Sequence, residues 1–289
     1  MFLYRLDGKT VVITGATSGI GLKAAKKFAQ AGAFVVGVGR LRARNQAAKM
    51  EIQSTIPDAN IEFLLAELAL QVNVHSLIDA IILLFEKNHY RQLDVLINNA
   101  GLYLEQKNLT LDGIEKTFAV NHLAPFLLTH GLMPLLGKAS FGRVLTVSSY
   151  SHRTTPLCLQ RIVDPWPYIG LLAYKRSKLC NVLFTYEFNR RYDNVTAFAV
   201  DPGLVNTGIA SKGSQGISHW VWRRRRHKGT SPEIPVESLL YLSAEEQINV
   251  DQGYYFKDSQ YKNPSRKSRD PRIARKLWAL SCKITGVNW

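Results

Sequence analysis

Along most of this chain, short runs that are apolar at nearly every position alternate with longer stretches in which apolar residues recur at helical spacing. The runs are TVVIT (10–14), FVVGVG (34–39), IEFLL (61–65), LDVLIN (93–98), RVLTVS (143–148) and VTAFAV (195–200). Continuous apolar runs of this length are what strands buried on both faces require. GLKAAKKFAQAG, closed by Gly32, sets the pattern of the intervening helices. Strand and helix in such alternation predict parallel strands with crossover helices. GYYF at 253–256 adds a last strand, so the expectation is one α/β domain over 1–289 with a seven-stranded, mostly parallel, doubly wound sheet and helices on both faces. Two regions break the alternation. Residues 151–172 carry three prolines and no sustained period and read as a loop, and 204–232 form a second irregular stretch.

The loop leads into AYKRSKLCNVLFTYEFNRR (173–191), one predicted helix on which Tyr174 and Lys178 stand four positions apart and share a face. A phenol is a poor proton shuttle at neutral pH unless a nearby cation favours the phenolate, and Lys178 is such a cation. By itself this spacing is equally that of a surface tyrosine and lysine. Upstream, Gly15, Gly19 and Gly21 fall where the first strand turns into a helix. Residues without a Cβ there let backbone N–H groups and the helix N-terminus approach a pyrophosphate. The alternative is a tight turn with no ligand.

TGATSGIG (14–21), NNAG (98–101), the pair Ser148 and Ser149 after RVLTV, and YKRSK together resemble, in order and spacing, the short-chain dehydrogenase/reductase superfamily, from about Leu6 to the C-terminus. Within it, VSS, LAYKRSK, FTYEFNRR and DPGLVNTGI look like the retinol-dehydrogenase-like branch. RKLWALSCKITGV is similar to the ending of a branch member acting on isoprenoid lipids.

The resemblance implies a Rossmann-type fold and interconversion of an alcohol and an aldehyde or ketone. Tyr174 would be the proton donor or acceptor, Lys178 would lower its pKa and bond the nicotinamide ribose, and Ser149 would polarise the substrate oxygen, with Ser148 in reserve. Asn121 would hold a water leading from the lysine to solvent. Pro125 adds a reason of its own, because a helical carbonyl at 121 would need the N–H that proline lacks. Alternatively Pro125 only bends a packing helix.

For a cofactor the implied contacts are Gly15, Thr17, Ser18, Gly19, Ile20 and Gly21 in the turn, then Asn98, Ala100 and Gly101 after the fourth strand, with Tyr174 and Lys178. Pro202, Gly203, Val205 and Thr207 follow the sixth strand; an unliganded surface turn is the other reading of that stretch. Asn99 is expected to bond neighbouring backbone. Glu67, in AELA, stands where relatives carry an aspartate that accepts from adenine. The second strand ends at Gly39 and Arg40 with no acid for a ribose 2′-hydroxyl. Arg40, with Arg42 and Arg44 nearby, can instead fork onto a 2′-phosphate, so NADP(H) is the expected cofactor; otherwise Arg40 is a solvated loop arginine.

Composition narrows the setting. Three cysteines scattered over 289 residues argue against a disulfide framework, and no spacing resembles a metal site. No apolar run reaches the roughly 18 residues of a membrane span. The first strand begins within about ten residues, which leaves no room for a signal peptide. The expected location is intracellular, cytoplasmic or peripheral to a membrane.

A net charge of +15 invites anionic partners, but no nucleic-acid recognition motif accompanies it. In SHWVWRRRRHK (218–228), Trp220 and Trp222 could enter a headgroup boundary while Arg223 to Arg226 meet lipid phosphate, within the segment that in the superfamily is the substrate lid (204–232). A solvated basic loop is the alternative. The expected partners are a small lipophilic substrate, such as a retinoid, polyprenoid or steroid, an anionic membrane surface and a second copy of the chain. A tail helix is expected at about 271–285. The rival from another class is a cofactor-binding sensor or scaffold with little turnover, against which the intact Asn121, Ser149, Tyr174 and Lys178 set speaks.

Overall fold

The computed structural model describes residues 4–204 and 231–289. Seven strands run parallel: β1 (Thr10–Thr14), β2 (Phe34–Gly39), β3 (Ile61–Leu65), β4 (Val95–Asn98), β5 (Gly142–Val147), β6 (Val195–Val200) and β7 (Tyr255–Lys257). The sheet has an eighth, β8 (Gln260–Tyr261), antiparallel to β7, in the order β3-β2-β1-β4-β5-β6-β7-β8. The expected count of seven misses β8 because two residues carry no periodicity. A two-residue turn, Asp258 and Ser259 at φ 52° and 58°, makes the hairpin.

Alternate residues of the parallel strands feed two cores. Val11 and Ile13 face α1 (Gly19–Gln30), α2 (Arg42–Thr55) and, at the other end, the helix Glu233–Ala244, which contributes Val236, Leu239 and Leu242. Val12, Val36, Leu96 and Val144 face the other side, where α3 (Gln71–Lys87) supplies Ile78, Ile81 and Phe85. The same core takes in Phe126 of the helix Ala124–Leu136 and Phe184 and Phe188 of Gly170–Arg191. Numbering on from α3, the helical turn Lys116–Phe118 is α4, Ala124–Leu136 is α5, Gly170–Arg191 is α6, Glu233–Ala244 is α7 and Pro271–Thr285 is α8.

Helix α6 has 22 residues and carries Tyr174 and Lys178. Most of its length is buried, from Ser177 through Phe188, so packing rather than surface propensity holds it. At its C-terminal end Arg190 and Arg191 each reach Glu187 at 2.9 Å and lie favourably in the helix dipole. The stretch before it is more structured than a plain loop, with 3₁₀ turns at Tyr150–Thr154 and Leu159–Arg161.

Helix α8 lies along α6 and ends in an αL Gly286, the stop that a residue without a Cβ allows. Its Trp278 stacks on Phe184 (5.6 Å between ring centres), meets Phe126 edge-on (5.2 Å) and touches Trp289 (4.4 Å). Trp278→Ala is expected to cost about 3–5 kcal/mol, the usual range for truncating a buried aromatic. Urea unfolding of the two proteins, compared at equal m-value, measures it.

Candidate active site

The C-terminal ends of β1, β2, β4, β5 and β6 open onto one cleft, as the crossover topology dictates. Its floor at one end is the β1–α1 turn. Gly15 and Gly19 have φ of 68° and 56°, which favour glycine. A Cβ on Gly21 would lie 2.2 Å from the Gly15 carbonyl oxygen and 2.5 Å from Asn99 Nδ2. Gly21 therefore stays beneath the turn, while Gly15, Thr17, Ser18, Gly19 and Ile20 line the cleft. Ser18 is the N-cap of α1, yet its hydroxyl makes no capping bond and the first turn holds no acid. Helix amides and a serine hydroxyl turned to a cleft are the donor set that a phosphate needs.

The turn is tied to the end of β4. Thr14 Oγ1 accepts the amides of Asn99 (3.1 Å) and Ala100 (3.0 Å), and Asn99 Nδ2 donates to the Thr14 carbonyl at 2.8 Å. Asn99 thus bonds neighbouring backbone. Asn98, expected at the cofactor, is buried on β4, with Nδ2 donating to Thr129 Oγ1 of α5, and does not line the cleft. The last residue of a strand whose side chain faces the helical layer cannot also face the strand ends. Ala100 and Gly101 do line it. At the far end Arg40 and Arg44 are exposed on the rim, and Glu67 lines the wall with Oε1 accepting the Ala69 amide at 3.2 Å. Arg42 is exposed and is not among the residues lining the cleft.

At the opposite end β5 delivers Ser148 and Ser149, and α6 delivers Tyr174 and Lys178. The two serines separate by role. Ser148 is buried and its hydroxyl donates to the Lys178 carbonyl at 2.9 Å, whereas Ser149 remains part-exposed in the cleft lining with Tyr174, its Oγ accepting the Ser151 amide at 3.3 Å. Lys178 is buried, its Nζ donating to the Val147 carbonyl at 2.8 Å and lying 5.8 Å from the Tyr174 ring centre. Burial lowers its pKa to about 8. Tyr174 is pushed up to about 12, chiefly by burial, with the Ser149 hydroxyl acting the other way and the charge of Asp201 adding to the rise. Lys178, held on the Val147 carbonyl, does not contribute to this shift, and desolvation of the phenol sets its direction.

Asn121 sits in a π-helical turn, Ala119–Leu123, between α4 and α5. The wider turn accommodates Pro125, whose missing N–H and ring forbid the ordinary bond to residue 121. The Asn121 side chain is committed to protein: Oδ1 accepts the Leu102 amide (2.8 Å), and Nδ2 reaches the Leu102 carbonyl and Ser177 Oγ (both 3.0 Å). It therefore clamps the cleft wall to α6. Any part in proton relay falls to its backbone.

Several lining residues escape sequence reasoning. Tyr103 meets the Tyr174 ring edge-on at 6.2 Å, and Leu102, Leu104 and Leu204 give that end an apolar wall. Tyr168 is tied to this wall, its hydroxyl donating to the Leu104 carbonyl at 3.0 Å and lying 3.3 Å from buried Glu115. Tyr150 is exposed. Their only sequence signal is proximity to the motifs. Pro202 and Gly203 line the cleft, while Val205, Thr207, Trp220, Trp222 and Arg223 to Arg226 lie outside the described residues. No described helix is long and apolar enough to cross a membrane, and no group of metal-ligating side chains occurs among the described residues.

Residues 9–217 match the short chain dehydrogenase family. The chain is 34% identical to retinol dehydrogenase 11 of Homo sapiens over 285 residues, 98% of this chain and 87% of that protein. Among solved structures, an uncharacterised protein of Mycobacterium paratuberculosis superposes with a TM-score of 0.76 at 30% identity, covering 99% of this chain and 96% of that one. A short chain dehydrogenase of Escherichia coli complexed with NADPH has a TM-score of 0.65 at 21% identity, over 83% and 92% of the two chains. Glycine turn, strand-end serine and Tyr174–Lys178 pair all fall within or beside the matched span, and the chain belongs to the short chain dehydrogenase family.

Proposed function

We propose that the chain is an NADP(H)-dependent oxidoreductase interconverting an alcohol and an aldehyde or ketone on a lipophilic substrate of retinoid, polyprenoid or steroid type. The observation that carries this reading is the convergence of Ser149, Tyr174 and Lys178 at one end of a cleft whose other end is a glycine turn and two arginines. Family membership supports the reaction class, and the NADPH complex of the Escherichia coli relative supports the cofactor. The retinol dehydrogenase similarity and the wall of Leu102, Leu104 and Leu204 support a lipophilic substrate.

Bound NADP(H) would supply or take up the hydride. Gly15, Ser18, Gly19 and Ile20 would hold the pyrophosphate, Arg40 and Arg44 the 2′-phosphate, and Glu67 the adenine edge. Lys178 has three N–H donors and spends one on Val147, which leaves two for a ribose hydroxyl. Ser149 would donate to the substrate oxygen and polarise the carbonyl. Tyr174 would give its proton to that oxygen in reduction and take one in oxidation. With its pKa near 12, Tyr174 stands ready as the acid. A turn at Pro202 and Gly203 would close the nicotinamide end, with Val205 and Thr207 beyond it. The basic Trp220–Arg226 stretch would meet an anionic membrane surface.

Replacing an arginine that makes charge-assisted bonds to a phosphate with an acid removes about 1.5–3 kcal/mol of binding. Arg40→Asp should therefore cut the preference for NADPH over NADH by roughly 10- to 100-fold. Fluorescence titration with each cofactor reads it, and an unchanged preference removes Arg40 from the assignment. Tyr174→Phe should lower kcat about 10²- to 10⁴-fold while leaving NADPH affinity near wild type. A panel of lipophilic aldehydes, ketones and alcohols, followed by nicotinamide absorbance, tests the reaction class itself.

A further inference from the structure

One buried charge at the site has no part in the chemistry above. Asp201 follows β6 and is 3% exposed. The pairing of Val147 with Val200, and the bond from the Ser148 amide to the Val200 carbonyl at 2.8 Å, bring it alongside Ser148, next to Ser149. Both carboxylate oxygens are taken by neutral donors: Oδ2 accepts the Tyr255 hydroxyl at 2.8 Å, and Oδ1 accepts the Gly203 amide at 3.0 Å. Among the described residues no lysine or arginine is within ion-pair distance of it. A buried anion compensated only by hydrogen bonds is costly, which asks for a reason.

The surroundings extend the arrangement to Ser149. The Tyr255 ring packs 4.9 Å from His152, whose Nδ1 lies 2.8 Å from the Ser149 carbonyl and whose Nε2 accepts the Ser265 amide at 3.2 Å. An amide can only donate, so Nε2 carries the lone pair and the proton sits on Nδ1, donated to Ser149. One run of hydrogen bonds and ring contact thus joins the Ser149 backbone, β7 and the Pro202–Gly203 turn.

We propose that Asp201 is a positioning residue for the proton transfer: an unpaired carboxylate clamped by Tyr255 and Gly203, which fixes the turn at the nicotinamide end of the cleft and sets the charge that Tyr174 faces. The inference rests on reading Tyr174 as the proton donor. In reduction the Tyr174 O–H bond breaks and its proton passes to the substrate oxygen as hydride reaches the carbon; the phenolate then takes a proton from solvent. A phenolate at the end of β5 and a buried carboxylate at the adjoining end of β6 are like charges in a low dielectric, so Asp201 favours the phenol. The groups around Tyr174 are Lys178 on its own helix, Ser149 after β5 and Tyr103 after β4, and Asp201 acts on it through its charge from the adjoining end of β6, alongside Ser148. Around Asp201 are Tyr255 from β7 and His152 from the 3₁₀ turn, and Arg153 of the same turn acts on both of those groups. Burial lowers the His152 pKa, in keeping with the lone pair that its Nε2 presents to the Ser265 amide, and burial together with the Asp201 charge raises that of the Tyr255 phenol.

The test is the pH dependence of kcat/KM for NADP⁺-linked alcohol oxidation by the full chain, in wild type, Asp201→Asn, Asp201→Ser and Tyr255→Phe. Oxidation needs the phenolate, so its rate rises with pH through the tyrosine pKa. Removing the carboxylate lowers that pKa, and the rising limb should move down by on the order of one pH unit in both Asp201 variants. Tyr255→Phe keeps the charge and should leave the limb in place while raising the KM for NADP⁺. A merely structural Asp201 would lower kcat with no displacement of the limb, and that result overturns the inference. The phenolate absorbance of the NADP⁺ complex, taken as the difference from the same protein carrying Tyr174→Phe, reads the same shift without turnover. If no alcohol is oxidised by wild type the oxidoreductase reading fails, while the absorbance shift still decides the role of Asp201.

Discussion

Taking an ammonium group out of water costs several kcal/mol unless polar groups meet it, and this fold buries the ammonium of Lys178 almost completely. Its pKa of about 8 shows the cost only partly offset. The largest visible compensation is the Val147 carbonyl at 2.8 Å, toward which Asn181 Nδ2 also leans at 3.5 Å. For that carbonyl to be available, β5 must end where it does. Ser148 then stitches the strand end to the helix through the Lys178 carbonyl, and Ser149 emerges beside Tyr174. The positions of serine, tyrosine and lysine thus follow from satisfying one buried cation.

A second set of bonds positions the wall opposite. Asn121 holds Leu102 from both sides, and Tyr168 holds Leu104 while reaching Glu115, a carboxylate whose pKa burial raises against the pull of the Thr117 and Phe118 amides. Gly170, the first residue of α6, allows the same wall to approach: a Cβ there would lie 2.1 Å from the Leu104 carbonyl oxygen. Wall and helix therefore touch backbone to backbone at the mouth of the cleft.

How much of this was legible follows from how far apart the cooperating residues lie in sequence. Strands such as TVVIT and VTAFAV are buried on both faces, so unbroken apolar runs mark them, and their bounds agree with the expectation. The β7–β8 hairpin, three residues and two, has no such signature. Tyr174 with Lys178, and the glycine turn, are local spacings and could be read directly. The bonding of Asn99 to neighbouring backbone agrees with the expectation, whereas the burial of Asn98 toward α5 could not be read, because adjacent residues at a strand end differ only in which side of the sheet each serves. Asp201 with Tyr255, His152 with Ser265, and Glu115 with Tyr168 pair across roughly 50 to 110 positions, and nothing in a single sequence marks such a partnership before the sheet brings the ends together.

Helix α6 is the fixed reference of the site, since almost every residue from Ser177 to Phe188 is packed on all sides. A helix so enclosed has no room to swing or slide, so its tyrosine and lysine hold one address relative to the strand ends. The neighbouring stretches are different in kind: Trp166, Ile169 and Leu204 are half or more exposed and no buried core constrains their size. Natural variation can therefore rework these exposed stretches, Leu204 of the cleft wall among them, without disturbing the enclosed helix that carries Tyr174 and Lys178. Change in the exposed stretches and constancy in the enclosed helix fall on separate parts of the chain.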